Sequence, residues 1–461
     1  MNPKIPSLRD VVAASAVLAT LLSMSNAAAV DAQGNDPVDT SRQVQLAPGP
    51  LQFGSTYTRD SFQRRNFRVV DIGGDAGNGV ARRLTYLNYG YASVSKGPDG
   101  MLRCDYGNDA TGRDAALADY GRRVSARDSL DRIGDPEITT LGGNFNQLRK
   151  FRQRHGTKLL ISLGGPGSHA DLAAAARTEA GRRLLAKSCV SLYLDGDLPA
   201  APSGAGGRGA ASGVFDGINL EWLSPREDEI QSGLSAGIEW QDYLALVRTF
   251  RDTLGANNDS RLLTATMNAA EASPRGAMGQ AIAGELNWIN IPAYDFTGAW
   301  NATTGHASGM TVSKSWARGD GVSHRSLSGL IEHMRDSGIP EFKQVYGIAL
   351  HGQGWTQVSA GRNHGLGMPG KPIPPALGGS TRSYRDLATM KGYRYYIEPA
   401  AKAMFSYDGS TFWSFDAART IRDKVYLIQK PRKLGGLFAS DISGDKDESM
   451  MLRIMAFQHQ Y

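Results

Sequence analysis

From about residue 51 onward, short runs of β-branched and aromatic residues alternate with stretches of helical period. Residues 83–91 (Arg-Leu-Thr-Tyr-Leu-Asn-Tyr-Gly-Tyr), 158–163, 214–222, 262–267, 286–296, 344–350 and 435–442 are predicted strands. Between them, residues 144–155, 170–194, 240–253, 326–336 and 420–429 carry the apolar spacing of amphipathic helices. Strands separated by helices form parallel β/α units, and seven or eight such units close into a barrel. The predicted fold class is therefore α/β, a TIM or (β/α)8 barrel; a doubly wound open sheet is the competing architecture.

Two stretches break the alternation. Residues 199–212 are rich in Gly, Ala, Ser and Pro and lie between a helix and the strand at 214, on the barrel face opposite an active site. They are expected to form a surface loop. Residues 355–412 are too long for a turn and follow a strand on the site-bearing face. Within them, residues 356–411 are read as a small inserted subdomain walling a cleft.

The first 29 residues are not fold material. Lys4 and Arg9 precede an apolar run over residues 11–24, and Asn26-Ala27-Ala28-Ala29 supplies small residues for cleavage. That pattern is a secretory signal, its apolar run too short for a membrane span. Residues 30–50 read as a flexible lead-in, and 51–461 as the folded barrel. No later segment holds an apolar run of about 18 residues, so no membrane span is expected.

At 461 residues with 41% hydrophobic content, the chain can bury a substantial core. Its formal net charge of +6 is spread without interleaved aromatics, which argues against a nucleic-acid groove. Export would permit a disulfide between the only two cysteines, Cys104 and Cys189; two separate thiols fit the sequence equally well. No Cys/His spacing of metal type, no phosphate loop and no Gly-x-Ser-x-Gly elbow occurs, and no cofactor is expected.

Several ordered motifs together resemble glycoside hydrolase family 18, the chitinase family. Tyr57-Thr58 through Arg65-Asn66-Phe67 looks like its first strand and following loop. Gly143 to Lys150 and Ser162-Leu163-Gly164-Gly165 resemble its second helix and third strand. Ile289 to Trp300 resembles the sixth strand and Val345 to Trp355 the seventh; Phe412 to Asp416 and Leu434-Gly435-Gly436 match the approach to the eighth. The resemblance runs from about residue 53 to 454, and it rests on the order and spacing of these motifs.

The family signature is a strand reading Asp-Gly-x-Asp-x-Asp-x-Glu, whose period of two turns the later acids to the barrel interior. The family's Glu protonates the glycosidic oxygen, and the preceding Asp orients the substrate N-acetyl group that attacks the anomeric carbon. Here the strand reads Asp216-Gly217-Ile218-Asn219-Leu220-Glu221-Trp222-Leu223. Leucine has no proton to give, and general acid catalysis is worth roughly 10² to 10⁴. Glu221 sits roughly 6–7 Å back along the strand, more than its side chain makes up. No residue is therefore expected to catalyse glycosidic cleavage, although a displaced acid such as Glu227, Asp228 or Glu229 would offer an alternative.

Other positions depart from the family as well. Asp60, Pro166 and Ser440 stand where the resemblance implies tryptophans, Pro292 replaces a Met, and His351-Gly352-Gln353 replaces Tyr-Gly-Arg. Tyr294 and Asp295 stand where the family contacts the N-acetyl group and sugar hydroxyls. With Trp222, Trp300 and Trp355 they are the glycan-binding candidates; the competing readings are barrel packing for Trp222, a wall to the inserted subdomain for Trp355, and a buried hydrogen-bonded pair for Tyr294 and Asp295. His351 is a lone histidine, expected to be structural rather than a ligand or base. The resemblance implies a secreted, catalytically silent protein binding chitin-type or related N-acetylglucosamine glycans. The other reading is a barrel turned to protein binding or inhibition.

Overall fold

The computed structural model describes residues 49–458 apart from 74–78, 108–109, 136–139, 224–238, 256–260, 271, 313–324, 430–433, 446 and 448. The residues expected to form a secretory signal, most of the expected lead-in, and Glu227, Asp228 and Glu229 lie outside the described residues.

Sixteen strands are described: β1 (Gln52–Thr58), β2 (Tyr86–Gly90), β3 (Val94–Lys96), β4 (Leu102–Cys104), β5 (Lys158–Gly164), β6 (Gly217–Glu221), β7 (Leu262–Thr266), β8 (Ile289–Pro292), β9 (Gln344–Ile348), β10 (His351–Thr356), β11 (Lys371–Pro372), β12 (Thr381–Ser383), β13 (Arg394–Glu398), β14 (Ala403–Tyr407), β15 (Phe412–Phe415) and β16 (Gly436–Asp441). Eight close a parallel barrel in the order β1-β16-β9-β8-β7-β6-β5-β2. The expected (β/α)8 barrel is therefore the observed fold, with helices such as Gly143–His155, Trp240–Leu254 and Ala418–Gln429 around it. Inward-facing Tyr86, Leu160, Trp288, Val345 and Phe438 fill the interior as one apolar cluster, so the barrel is a packed core and not a channel.

The element boundaries differ from the sequence reading in identifiable ways. The single helix expected over 170–194 breaks into His169–Ala176 and Glu179–Cys189. Thr178 takes an extended conformation there, and its hydroxyl accepts the Gly181 N–H at 3.1 Å, capping the second helix. The strand expected over 83–91 begins only at Tyr86, because Val80–Arg83 is a helical turn. The extended run expected over 286–296 shortens to Ile289–Pro292.

Immediately after β9 the chain turns into β10, the start of an antiparallel sheet ordered β11-β10-β15-β14-β13, with β12 on β10. Two apolar clusters hold it: Trp355, Val358, Leu366, Phe405, Tyr407 and Phe412 in one, and Ile373, Leu387, Trp413 and Phe415 in the other. A second small hairpin, β3 with β4, is absent from the sequence reading. It is joined covalently to the Glu179–Cys189 helix, since Cys104 and Cys189 form a disulfide. The 199–212 loop is pinned by paired hydrogen bonds between Leu198 and Gly207, with Ala205 and Ala211 buried beneath it.

Candidate functional site

Strand β6 presents the signature residues at three depths. Asp216, just before its first residue, is at the N-terminal end. Arg152 donates to both its carboxylate oxygens at 2.7 and 2.8 Å, Lys158 donates at 3.2 Å and the Leu159 N–H at 3.0 Å. Burial opposes its charge, but the Arg152 hydrogen bond, the Leu159 N–H and the charges of Arg152 and Lys158 together hold the carboxyl below the usual range. Asp216 is a structural anchor on the face away from the cleft.

Asn219, fully buried, is the hub of a neutral network. Its amide donates to Ser162 Oγ and Thr266 Oγ1, both at 3.0 Å, while its Oδ1 accepts from Thr264 Oγ1 at 2.9 Å. Asn290 joins the same network and accepts the Tyr86 hydroxyl. The Asn219 amide thus has partners on both its nitrogen and its oxygen, which is how a barrel interior accommodates an amide at low cost.

Glu221, 8% exposed, accepts the Tyr91 hydroxyl on Oε1 at 3.0 Å. Burial raises its pKa to about 7, against the opposing hydrogen bonds of Tyr91 and Ser162. Gly165 allows Tyr91 to lie this close to the strand ends. A Cβ there would fall 2.4 Å from the ring, and the residue's φ of 93° is one glycine tolerates. Leu223 lies just past the end of β6 and is partly exposed.

Above the strand C-terminal ends opens a cleft of about 660 Å³. Its walls include Tyr91, Asp295, Trp300, His351, Gln353 and Ser440. Three arginines, Arg59, Arg64 and Arg65, also line it, each paired with a carboxylate: Asp119, Asp60 and Asp441 respectively. Glu221 and Leu223 are not among the lining residues. Tyr91, which is, covers the Glu221 carboxyl.

Asp295 has φ of 57°, a left-handed conformation that Asp tolerates better than most residues. Its carboxylate meets His351 Nε2 at 2.9 and 3.0 Å and accepts from Gln353 Nε2 at 2.8 Å. Burial works against a charged His351 imidazole, but Asp295 outweighs it and the pKa rises above the ordinary histidine value. Tyr294 packs edge-on against His351, with ring centroids 5.5 Å apart, and its phenol pKa is driven up by burial.

Ser440 owes its placement to a bulge. In the β1–β16 ladder Ser55 pairs with Ala439 and Thr56 with Asp441, so Ser440 is the skipped residue, and bulges re-aim side chains in this way. Its hydroxyl accepts the Leu350 N–H at 2.7 Å and lies 3.3 Å from His351 Nδ1.

Two of the glycan-binding candidates are buried in packing positions outside the cleft. Trp222 faces outward from β6, 2% exposed, donating to His169 Nδ1 at 2.9 Å and packing on Tyr243. The period of two that turns Glu221 inward turns Trp222 out under the helices. Trp355 is fully buried in the antiparallel sheet and donates to the Asn301 carbonyl at 3.0 Å. Neither lines the cleft; Trp300 and Asp295 do, and Tyr294 stands behind His351. The structure also brings in Tyr91, Arg59, Arg65 and Asp441, which the sequence reading did not single out. Tyr91 ends the run predicted as the second strand, the one signal that pointed to it.

The chain belongs to the glycosyl hydrolases family 18, whose model matches residues 56–445. It is 28% identical over 390 residues to Chitinase C of Streptomyces lividans, covering 83% of this chain and 55% of that protein. Chitinase A1 of Niallia circulans is 25% identical over 423 residues, covering 85% and 56%. The chain thus spans about half the length of the curated relatives it matches. Among solved structures, the catalytic domain of psychrophilic chitinase B from Arthrobacter TAD20 superposes with a TM-score of 0.74 at 26% identity, covering 89% of this chain and 95% of that one.

Proposed function

We propose that this protein is an exported member of the chitinase family that no longer hydrolyses chitin and uses its cleft to bind N-acetylglucosamine-type glycans. The observation that carries the reading is the state of β6: Leu223 occupies the acid position, while Glu221 is buried and covered by Tyr91. A proton donor for a glycosidic oxygen must reach that oxygen directly or through one water, and neither residue lines the cleft. Glycan binding draws support from Trp300 and from the polar walls around Asp295, Gln353 and Thr381. Export is supported by the N-terminal pattern and by the Cys104–Cys189 bond, which belongs to oxidising compartments. Residues 356–411 are assigned as the inserted subdomain beside the cleft.

The experiment is a pair of assays on the secreted protein. Retention on chitin without turnover of a fluorogenic N-acetylglucosamine oligomer is the expected result, with retention weakened in Asp295→Ala. Turnover abolished by Glu221→Gln would overturn the loss of hydrolysis. No retention on chitin, cellulose or peptidoglycan would favour the second reading, a barrel that binds a protein partner. That reading draws on the cleft's lack of stacking platforms at Asp60, Pro166 and Ser440.

A further inference from the structure

Three side chains from three different strand ends meet at the cleft floor. Ser440 comes from the bulge in β16, His351 from the first residue of β10, and Asp295 from the turn after β8. Ser440 Oγ is 3.3 Å from His351 Nδ1, and His351 Nε2 is 2.9 Å from Asp295 Oδ1. All three line the same 660 Å³ cleft. Hydroxyl, imidazole and carboxylate in series is the arrangement that activates a serine, and it is recognised by geometry and roles rather than by chain order. We propose that the cleft carries an acyl-ester hydrolase site, with Ser440 as nucleophile, His351 as its general base and Asp295 as the residue positioning the imidazole.

The details fix who holds each proton. Asp295 is an acceptor, so the neutral imidazole carries its proton on Nε2 and presents Nδ1 as a lone pair to Ser440. The Leu350 N–H donates to Ser440 Oγ and occupies one of its lone pairs. The hydroxyl proton is then directed to His351, and the second lone pair is left for attack. Gln353, buried and itself held by Thr381, donates to Asp295 Oδ1 and fixes the carboxylate.

The reaction balances with water as the only co-substrate. Ser440 Oγ bonds to the acyl carbon while its proton passes to His351 Nδ1. The tetrahedral adduct collapses, the ester C–O bond breaks and the leaving alkoxide takes that proton. Water, deprotonated by His351, then attacks the acyl carbon; the Ser440 Oγ–acyl bond breaks, the acid leaves and His351 returns its proton to Oγ. Arg65, held by Asp441 and Ser443 beside Ser440 in the chain, lines the same cleft and is the cation available to the developing oxyanion. Small acyl esters are the substrate class; a sugar alcohol as the leaving group rests on the glycan-binding reading, the ester chemistry does not.

The intact protein is incubated with p-nitrophenyl acetate and, separately, with a fluorophosphonate whose adduct is located by peptide mass spectrometry. The expected results are label on Ser440 and ester turnover that falls at least about 100-fold in Ser440→Ala. Label should also be lost in His351→Gln at an unchanged melting temperature. An unlabelled Ser440 in the native protein, or equal turnover in Ser440→Ala, overturns the proposal. Neither assay involves chitin, so a failure here is separate from a failure to bind glycan.

Discussion

The Tyr91 hydroxyl donates to Glu221 Oε1 at 3.0 Å, and Tyr91, not Glu221, faces the cleft. Enclosed in this way, the carboxyl is driven by burial from an ordinary value of 4.5 to about 7. The folded state then holds a proton that the unfolded chain releases. A raised acid of this kind contributes stability that is fully present below pH 4.5 and lost as pH rises through about 7. The difference corresponds to about 3 kcal/mol. Glu221→Gln keeps an acceptor for Tyr91 and removes the titration. Thermal melts from pH 4 to 8 should show the wild type losing stability across that window relative to the variant. Parallel curves would refute the assignment.

The barrel was legible in the sequence because each strand's apolar run and each helix's period repeat the same β/α unit. What stayed hidden arises between distant segments. Asp60, Pro166, His351, Gln353 and Ser440 were found as departures from a family pattern, and the structure gathers all of them around one cleft. For Trp222 the sequence leaves barrel packing and a sugar platform both open, and the pleat that turns it to the outer face decides for packing. Nothing in sequence marks the bulge that turns Ser440 toward His351, since a bulge is a property of two paired strands. For the same reason His351 read as a lone histidine: both its partners lie more than fifty residues away in the chain.

Asp216 matches the family signature, yet its partners assign it to the fold. Removing it in Asp216→Ala strips Arg152 of a two-pronged acceptor and leaves the Leu159 N–H without its side-chain partner. Charged hydrogen bonds of this sort are worth about 1.5–3 kcal/mol, and a loss in that range is expected in urea unfolding. Glycan retention measured on the folded fraction should not change. A variant of wild-type stability would mean that Arg152 and Lys158 find other acceptors.

The Cys104–Cys189 bond closes a loop across 85 positions and ties the β3–β4 hairpin to the helix behind it. By the chain-entropy account a loop of this length contributes about 4–5 kcal/mol. Both sulfur-bearing residues are buried, at 5% and 1% exposure, so a reductant should act only as fast as the hairpin opens. Serine at both positions is the cleaner comparison. Its unfolding free energy should fall by most of that amount, and an unchanged value would show that the bond constrains a region already fixed by packing.

Leu223 invites the simplest repair, Leu223→Glu, and the surroundings argue that it fails. In a family that uses a chain of acids, a new carboxyl at position 223 would depend on an acid two residues earlier to orient the N-acetyl group and share its proton. That neighbour, Glu221, already has its Oε1 engaged by Tyr91, and two residues before it stands Asn219, a neutral amide satisfied by Ser162, Thr264 and Thr266. The sugar would also lack a floor, because Ser440 is turned by its bulge toward His351 and offers no aromatic face. The single variant should therefore stay below the detection limit with a fluorogenic N-acetylglucosamine oligomer while folding normally. Turnover recovered by that one substitution would mean that the cleft still grips the substrate in a reactive pose, and that the missing acid was its only lesion.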